Sequence, residues 1–162
     1  MSSFDRRTLL LSLTALAGCG FTPALAPGGS AAGLRGSIVV DAPADRQTFV
    51  MVQHLEQRLG KPNGASYRLA ADLSVSERNI GHDPDYSTTR RQLTGTLNYR
   101  LYPLGSETVV ASGKVSNFVG YGSTGNTVVT RSAEADARDR LMVILADQLV
   151  TRLIATAPDW RA

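Results

Sequence analysis

Residues 67–78, Tyr-Arg-Leu-Ala-Ala-Asp-Leu-Ser-Val-Ser-Glu-Arg, alternate with a period of two. Tyr67, Leu69, Ala71, Leu73 and Val75 share one face, and Arg68, Asp72, Ser74 and Ser76 share the other. That is the pattern of a strand buried on one side only. Two later stretches repeat it. Leu93, Gly95, Leu97, Tyr99 and Leu101 fall on one face of Arg90 to Tyr102, and Val109, Ala111, Val115, Val119 and Tyr121 on one face of Glu107 to Tyr121. Asn79 to Thr89 is polar, with Gly81 and Pro84, and reads as a loop; Pro103 to Ser106 reads as a turn. Three consecutive alternating runs with short connections form, most simply, an antiparallel meander.

Working outward, Ser37 to Asp41 (SIVVD) is a short apolar run with β-branched residues, a first strand. Asp45 can cap a helix beginning at Arg46, in which Val52, Leu55 and Leu59 recur at helical spacing with Phe49 and Met51 flanking them. Gly60 ends that helix and Pro62 prevents its resumption. Beyond the meander, Gly122 to Asn126 is a Gly-rich connection, and a long helix is predicted from about Arg131 to Ala157 with Thr130 as its cap. Ala133, Ala137, Leu141, Leu145, Leu149 and Leu153 recur every fourth residue there, with Ile144 beside them. The expected fold is α+β, with two helices packed on one face of a small, mostly antiparallel sheet in the order β-α-β-β-β-α. The opposite sheet face, rich in Thr, Ser, Asn and Arg, is left to water or to a polar partner.

The N-terminus carries a different signal. Asp5-Arg6-Arg7 supplies a basic start, Thr8 to Ala17 an apolar core, and Leu16-Ala17-Gly18-Cys19 closes it on the one cysteine of the chain. The apolar run is too short to cross about 30 Å of hydrocarbon, so it reads as a secretory signal. Arg6-Arg7 also resembles a twin-arginine signal, although an ordinary basic flank is the simpler reading. The four residues ending at Cys19 match the lipobox of bacterial lipoproteins. In that class the thiol takes a diacylglyceryl group and the cysteine becomes the mature N-terminus. The expected division is residues 1–18 as signal peptide, 19–36 as lipidated Cys and flexible tether (Pro, Gly and Ala-rich), and 37–162 as one α/β domain. Cleavage before Cys19 leaves 144 residues (162 less 18), enough for a single core. With its only thiol acylated, the chain has no disulfide to staple it, so that core alone holds the fold.

The inventory of reactive groups is short. Seventeen Lys and Arg against fourteen Asp and Glu give a net charge of +3, without a basic block of the kind that binds nucleic acid. His54 lies on the first helix among charged and apolar neighbours. His82-Asp83-Pro84-Asp85 resembles metal ligands only superficially, since a zinc site needs three or four convergent donors. Gly-x-Ser-x-Gly, P-loop and HExxH patterns are absent. Gly120 to Gly125 does not link a parallel strand to a helix, as a dinucleotide site requires. An enzyme is not expected; a periplasmic one using His82 and Asp83 is the remaining catalytic alternative. One cationic set stands out. Arg78, Arg90 and Arg91 flank the long loop and should meet at one end of the sheet, with Lys114 on the next strand. Guanidinium and ammonium groups bind phosphate, and strand-edge charges also keep edges soluble.

The run Leu16-Ala17-Gly18-Cys19-Gly20-Phe21-Thr22-Pro23, the element order, and the helical segments 133–141 (AEADARDRL) and 145–153 (LADQLVTRL) together resemble the LPS-assembly lipoprotein family LptE, in its alphaproteobacterial form. The resemblance covers nearly all of the mature chain. It implies an outer-membrane lipoprotein, anchored through Cys19 on the periplasmic side. Such a protein plugs the β-barrel LptD, supports its assembly, and binds lipopolysaccharide without covalent catalysis. It implies no cofactor beyond the acyl/diacylglyceryl lipid, and as partners an LptD-like outer-membrane barrel, lipopolysaccharide and the membrane itself. Gly20, where Asp would mark inner-membrane retention in enteric bacteria, agrees with outer-membrane delivery. Because no family positions for lipopolysaccharide contact align here, Arg78, Arg90, Arg91 and Lys114 are candidates on physical grounds alone. The alternative is an auxiliary lipoprotein of an ABC-type lipid transport system.

Overall fold

The computed structural model describes residues 23–82, 88–123 and 126–161. The signal segment, Cys19, and Asp83 to Ser87 of the polar loop lie outside them. The elements are β1 (Ile38–Val40), α1 (Arg46–Leu59), β2 (Tyr67–His82), β3 (Thr88–Pro103), β4 (Ala111–Gly122), α2 (Thr127–Ala155) and a short α3 (Ala157–Trp160). The sheet order is β1-β2-β3-β4. β1 is parallel to β2, while β2–β3 and β3–β4 are antiparallel, so the α+β meander is as the alternation predicts. Both helices cover the same sheet face and pack on each other.

The core follows from the alternation. Leu93, Leu97 and Leu101 on β3 and Leu141, Leu145, Leu149 and Leu153 on α2 are each 0–1% exposed. Burying a leucine contributes about 1.5–3 kcal/mol, which makes this seam the main source of stability. Its closest approach is at Gly95: a Cβ there would lie 2.8 Å from Leu145 Cδ1 and 3.1 Å from Leu141 Cδ2. On α1 the buried stripe is Met51, Leu55 and Leu59; Val52 is only half-buried and Phe49 is exposed, so the helix is rotated one residue from its expected phase. Asp45 caps α1 as expected: its carboxylate accepts from Thr48 N at 2.8 Å, and Thr48 Oγ1 accepts from Asp45 N at 2.9 Å. Those hydrogen bonds, the backbone one first, hold the Asp45 carboxyl below its ordinary range. Gly60, at φ +83°, ends the helix.

Several boundaries differ from expectation. β2 and β3 run four and two residues into the polar stretch read as loop, with register shifts around Gly81. β4 begins at Ala111, leaving Val109 exposed on the approach. α2 starts four residues earlier than expected, with Asn126 and not Thr130 as its cap; Asn126 Oδ1 accepts from Val128 N and Val129 N. The tether is also shorter than 19–36. Ala31 and Leu34 are buried in the core, and Gly36 N donates to Leu59 O at 2.7 Å. Arg161 at the far end of the chain donates to Ala32 O. Trp160 meets Tyr67 edge-on at 5.1 Å between ring centroids.

The molecule therefore has two ends. One gathers the N-terminal segment, the β3–β4 turn and α3. The other gathers the β2–β3 hairpin and the start of α2.

Candidate functional site

The hairpin end carries three of the four expected cations, but the pleat divides them. Neighbours along a strand point to opposite faces, so Arg90 and Arg91 cannot share one. Arg78 is registered opposite Gln92, which shares its face with Arg90. Both arginines are exposed on the open sheet face. That face continues through Ser76, Thr94, Thr96 and Ser116, with Phe118, 63% exposed, as an aromatic step among them. Lys114 lies on the same face but elsewhere: its partner Asn98 is eight residues along β3 from Arg90, about 27 Å away. It lines an open groove between β4 and α2 with Asp147, Gln148 and Arg152.

Arg91 turns to the helix side, in phase with Leu93. Its Nη1 donates to Glu77 Oε1 at 2.9 Å, and Tyr121 Oη donates to the same oxygen at 2.8 Å. Arg138 of α2 reaches Glu77 Oε2 at 3.8 Å while Nε donates to Glu134 at 2.9 Å. Burial alone would push the Glu77 carboxyl up. The hydrogen bonds from Tyr121 and Arg91, with the charges of Arg91 and Arg138, outweigh it and hold the carboxyl below its ordinary range. Burial, then the bond to Glu77, pushes the Tyr121 hydroxyl up. This network closes the core at the hairpin end, where α1 does not reach. Just outside it, Arg91, Ser123, Thr127, Arg131 and Glu134 line a polar cleft at the start of α2. Arg131 was expected only as the start of the helix and not as a site residue; with the helix beginning at Thr127 it is the fifth helical residue and lines this cleft.

Chemically, the hairpin end offers guanidinium groups on both sides of the sheet, held by carboxylates on the helix side and exposed on the open face, and such groups suit phosphate oxygens. His54 takes part in a helix–helix contact: its Nε2 lies 3.1 Å from Asp147 Oδ1, which also receives Arg58 Nε at 3.1 Å. No grouping of three or more His, Cys, Asp or Glu that could hold a metal occurs among the described residues. No helix among them is long and apolar enough to cross a membrane.

Comparison with known proteins bears on this arrangement. The family model described as LptE, lipopolysaccharide-assembly, matches residues 36–153. A putative lipoprotein from Caulobacter crescentus has a similar solved structure, with a TM-score of 0.63, 24% identity, and coverage of 80% of this chain and 96% of its own. Rare lipoprotein B from Shewanella oneidensis follows at TM-score 0.60 and 12% identity, covering 78% and 98%. A minor lipoprotein from Acinetobacter baumannii gives 0.57 and 11%, covering 77% and 93%. At these identities the structures establish a shared fold. No curated protein matches the sequence.

Proposed function

The chain belongs to the LptE family of lipopolysaccharide-assembly proteins, and from that membership we propose that it is the lipoprotein plug of an LptD-like outer-membrane barrel. In this reading Cys19 carries the acyl chains in the periplasmic leaflet. The open sheet face lies against the barrel wall, and the hairpin end receives lipopolysaccharide. The observation that carries the reading is the open face of β2, β3 and β4: over three long strands it presents Ser, Thr, Asn and Arg to its surroundings. A porin-like lumen is polar, and a plug needs a hydrogen-bonding surface to meet it. Lipid A phosphates would bind at Arg78 and Arg90, with Arg91 and Arg131 on the opposite side of the same end. The protein would bind and hand on its ligand without making or breaking a covalent bond.

The test is isolation of the full-length lipoprotein from gently solubilised membranes, with identification of what accompanies it. A large β-barrel in near-stoichiometric amount is the expected result; transporter subunits, or the protein alone, would overturn the proposal. In the same preparation, Arg78→Ala with Arg90→Ala should lower lipopolysaccharide retention about tenfold, as loss of charge-assisted contacts does. The barrel should still co-purify. Lys114→Ala, remote from that end, should have the smaller effect.

A further inference from the structure

β2 has a neighbour on its outer side over only part of its length. β1 pairs with Tyr67, Arg68 and Leu69 and then leaves, its last contact being Asp41 N donating to Leu69 O at 3.0 Å. Beyond that point no strand among the described residues lies on this side of β2. Leu69 turns its carbonyl toward β1, so Ala71, Leu73, Val75 and Glu77 turn their N–H and C=O groups the same way, with nothing to pair them. The far limit is Asn79, where register shifts toward Gly81 and His82 break the ladder. Residues 71–79 are thus a regular open edge without the proline, lysine or bulge that usually prevents such edges from pairing. On β4, at the opposite edge, the side chains of Asn117 and Arg152 occupy two of the outward backbone groups. Along the β2 edge Leu73 and Val75 are half-buried against the core, while Asp72, Ser74, Ser76 and Arg78 are exposed on the open face. Neither Asp72 nor Arg78 has an ion-pair partner among the described residues.

We propose that this edge pairs with the same edge of a second copy of the chain, antiparallel about a two-fold axis at Val75. The limits of the edge set that register. Bounded by β1 on one side and by the register shift on the other, the open stretch matches itself end to end only when centred on Val75. Asp72 of each copy then lies directly opposite Arg78 of the other, twice by symmetry, and Ser74 lies opposite Ser76. These are the pairs without mutual backbone bonds, in which side chains approach closest. A slip of two residues either way removes both ion pairs. On the helix side, Leu73 and Val75 of the two copies join into one apolar strip, and the two sheets become continuous. Arg78 is also one of the groups assigned above to lipid A phosphate, so pairing and phosphate capture exclude each other. The pairing itself does not depend on the barrel reading.

Sedimentation velocity of the full-length protein in mild detergent, with micelles in excess over protein, tests this across a range of protein concentrations. A reversible dimer is expected. Asp72→Arg alone and Arg78→Asp alone each set like charges opposite one another, and each should weaken dimerisation about tenfold. An equimolar mixture of the two variants regains both ion pairs in the heterodimer and should return to near the wild-type affinity. Both positions are exposed, and circular dichroism confirms that each variant is folded. Disulfide formation reads the register independently. With acylation of Cys19 verified by mass spectrometry, an introduced cysteine is the only free thiol. Ser74→Cys and Ser76→Cys should cross-link when mixed and much less when each is alone. A monomer at every concentration overturns the proposal. So does a dimer indifferent to the charge reversals, or cross-linking that does not depend on mixing.

Discussion

Glu77 is the residue on which the hairpin end turns. It receives Arg91 and Tyr121 on one oxygen and faces Arg138 with the other. Because its folded-state pKa is depressed, its stabilising contribution is present above the ordinary value of 4.5 and is lost as the pH falls through the lower, folded value. Glu77→Gln should therefore cost about 1 kcal/mol near neutral pH, with the difference from wild type closing in acid below that value. Urea unfolding at the two pH values checks this, and a gap that stays constant with pH would refute the role assigned to the carboxylate. The cations were legible as residues but not as an arrangement. Alternation already separates Arg90 from Arg91, since Arg91 is in phase with Leu93 and Arg90 with Gln92. Glu77, in phase with Val75, was equally legible as the inward partner. What the sequence did not disclose was that the pairing register places the two opposite each other's neighbourhood, because register depends on contacts between strands.

At the scale of elements, α2 and β3 are matched along a seam of leucines that approaches closest at Gly95. Gly95→Val would drive a branched side chain into Leu145 and Leu141, both 0% exposed, and should cost about 2–3 kcal/mol. Gly122→Ala, with nothing within 4 Å of the added atom, should change thermal stability little. Equal effects at the two sites would mean that the seam is looser than described. The three long strands and both helices were readable because their apolar residues recur with the right period. Their ends were not. The β2–β3 ladder continues into polar residues because backbone pairing does not require apolar side chains. The first turn of α2 was hidden by Val128 and Val129, β-branched residues that are 77% and 52% exposed and carry no helical stripe. The free edge of β4 is blunted in its own way: Phe118 N donates to Asn117 Oδ1 at 2.7 Å, and Arg152 donates to Lys114 O at 3.4 Å.

At the scale of the whole molecule, Trp160 and Arg161 fasten the last described residues to Tyr67 and to the segment around Ala32, which no local pattern in the sequence announces. Composition marked residues 19–36 as tether because Pro, Gly and Ala dominate it, yet Ala31 and Leu34 serve as core residues. Trp160→Ala removes the edge-on contact with Tyr67 and a largely buried indole, and should cost about 3–5 kcal/mol. It should also open the Pro23–Leu34 segment to limited proteolysis before the rest of the domain is cut; uniform cleavage would show that the ends are not fastened there. The hydrogen bond from Arg161 to Ala32 spans 129 residues. Closing so long a loop carries the largest entropic cost of any contact described here, so this contact is expected to form late in folding. The order of events in time follows from this: the segment around Ala32 is expected to be among the last of the described residues to be locked in place.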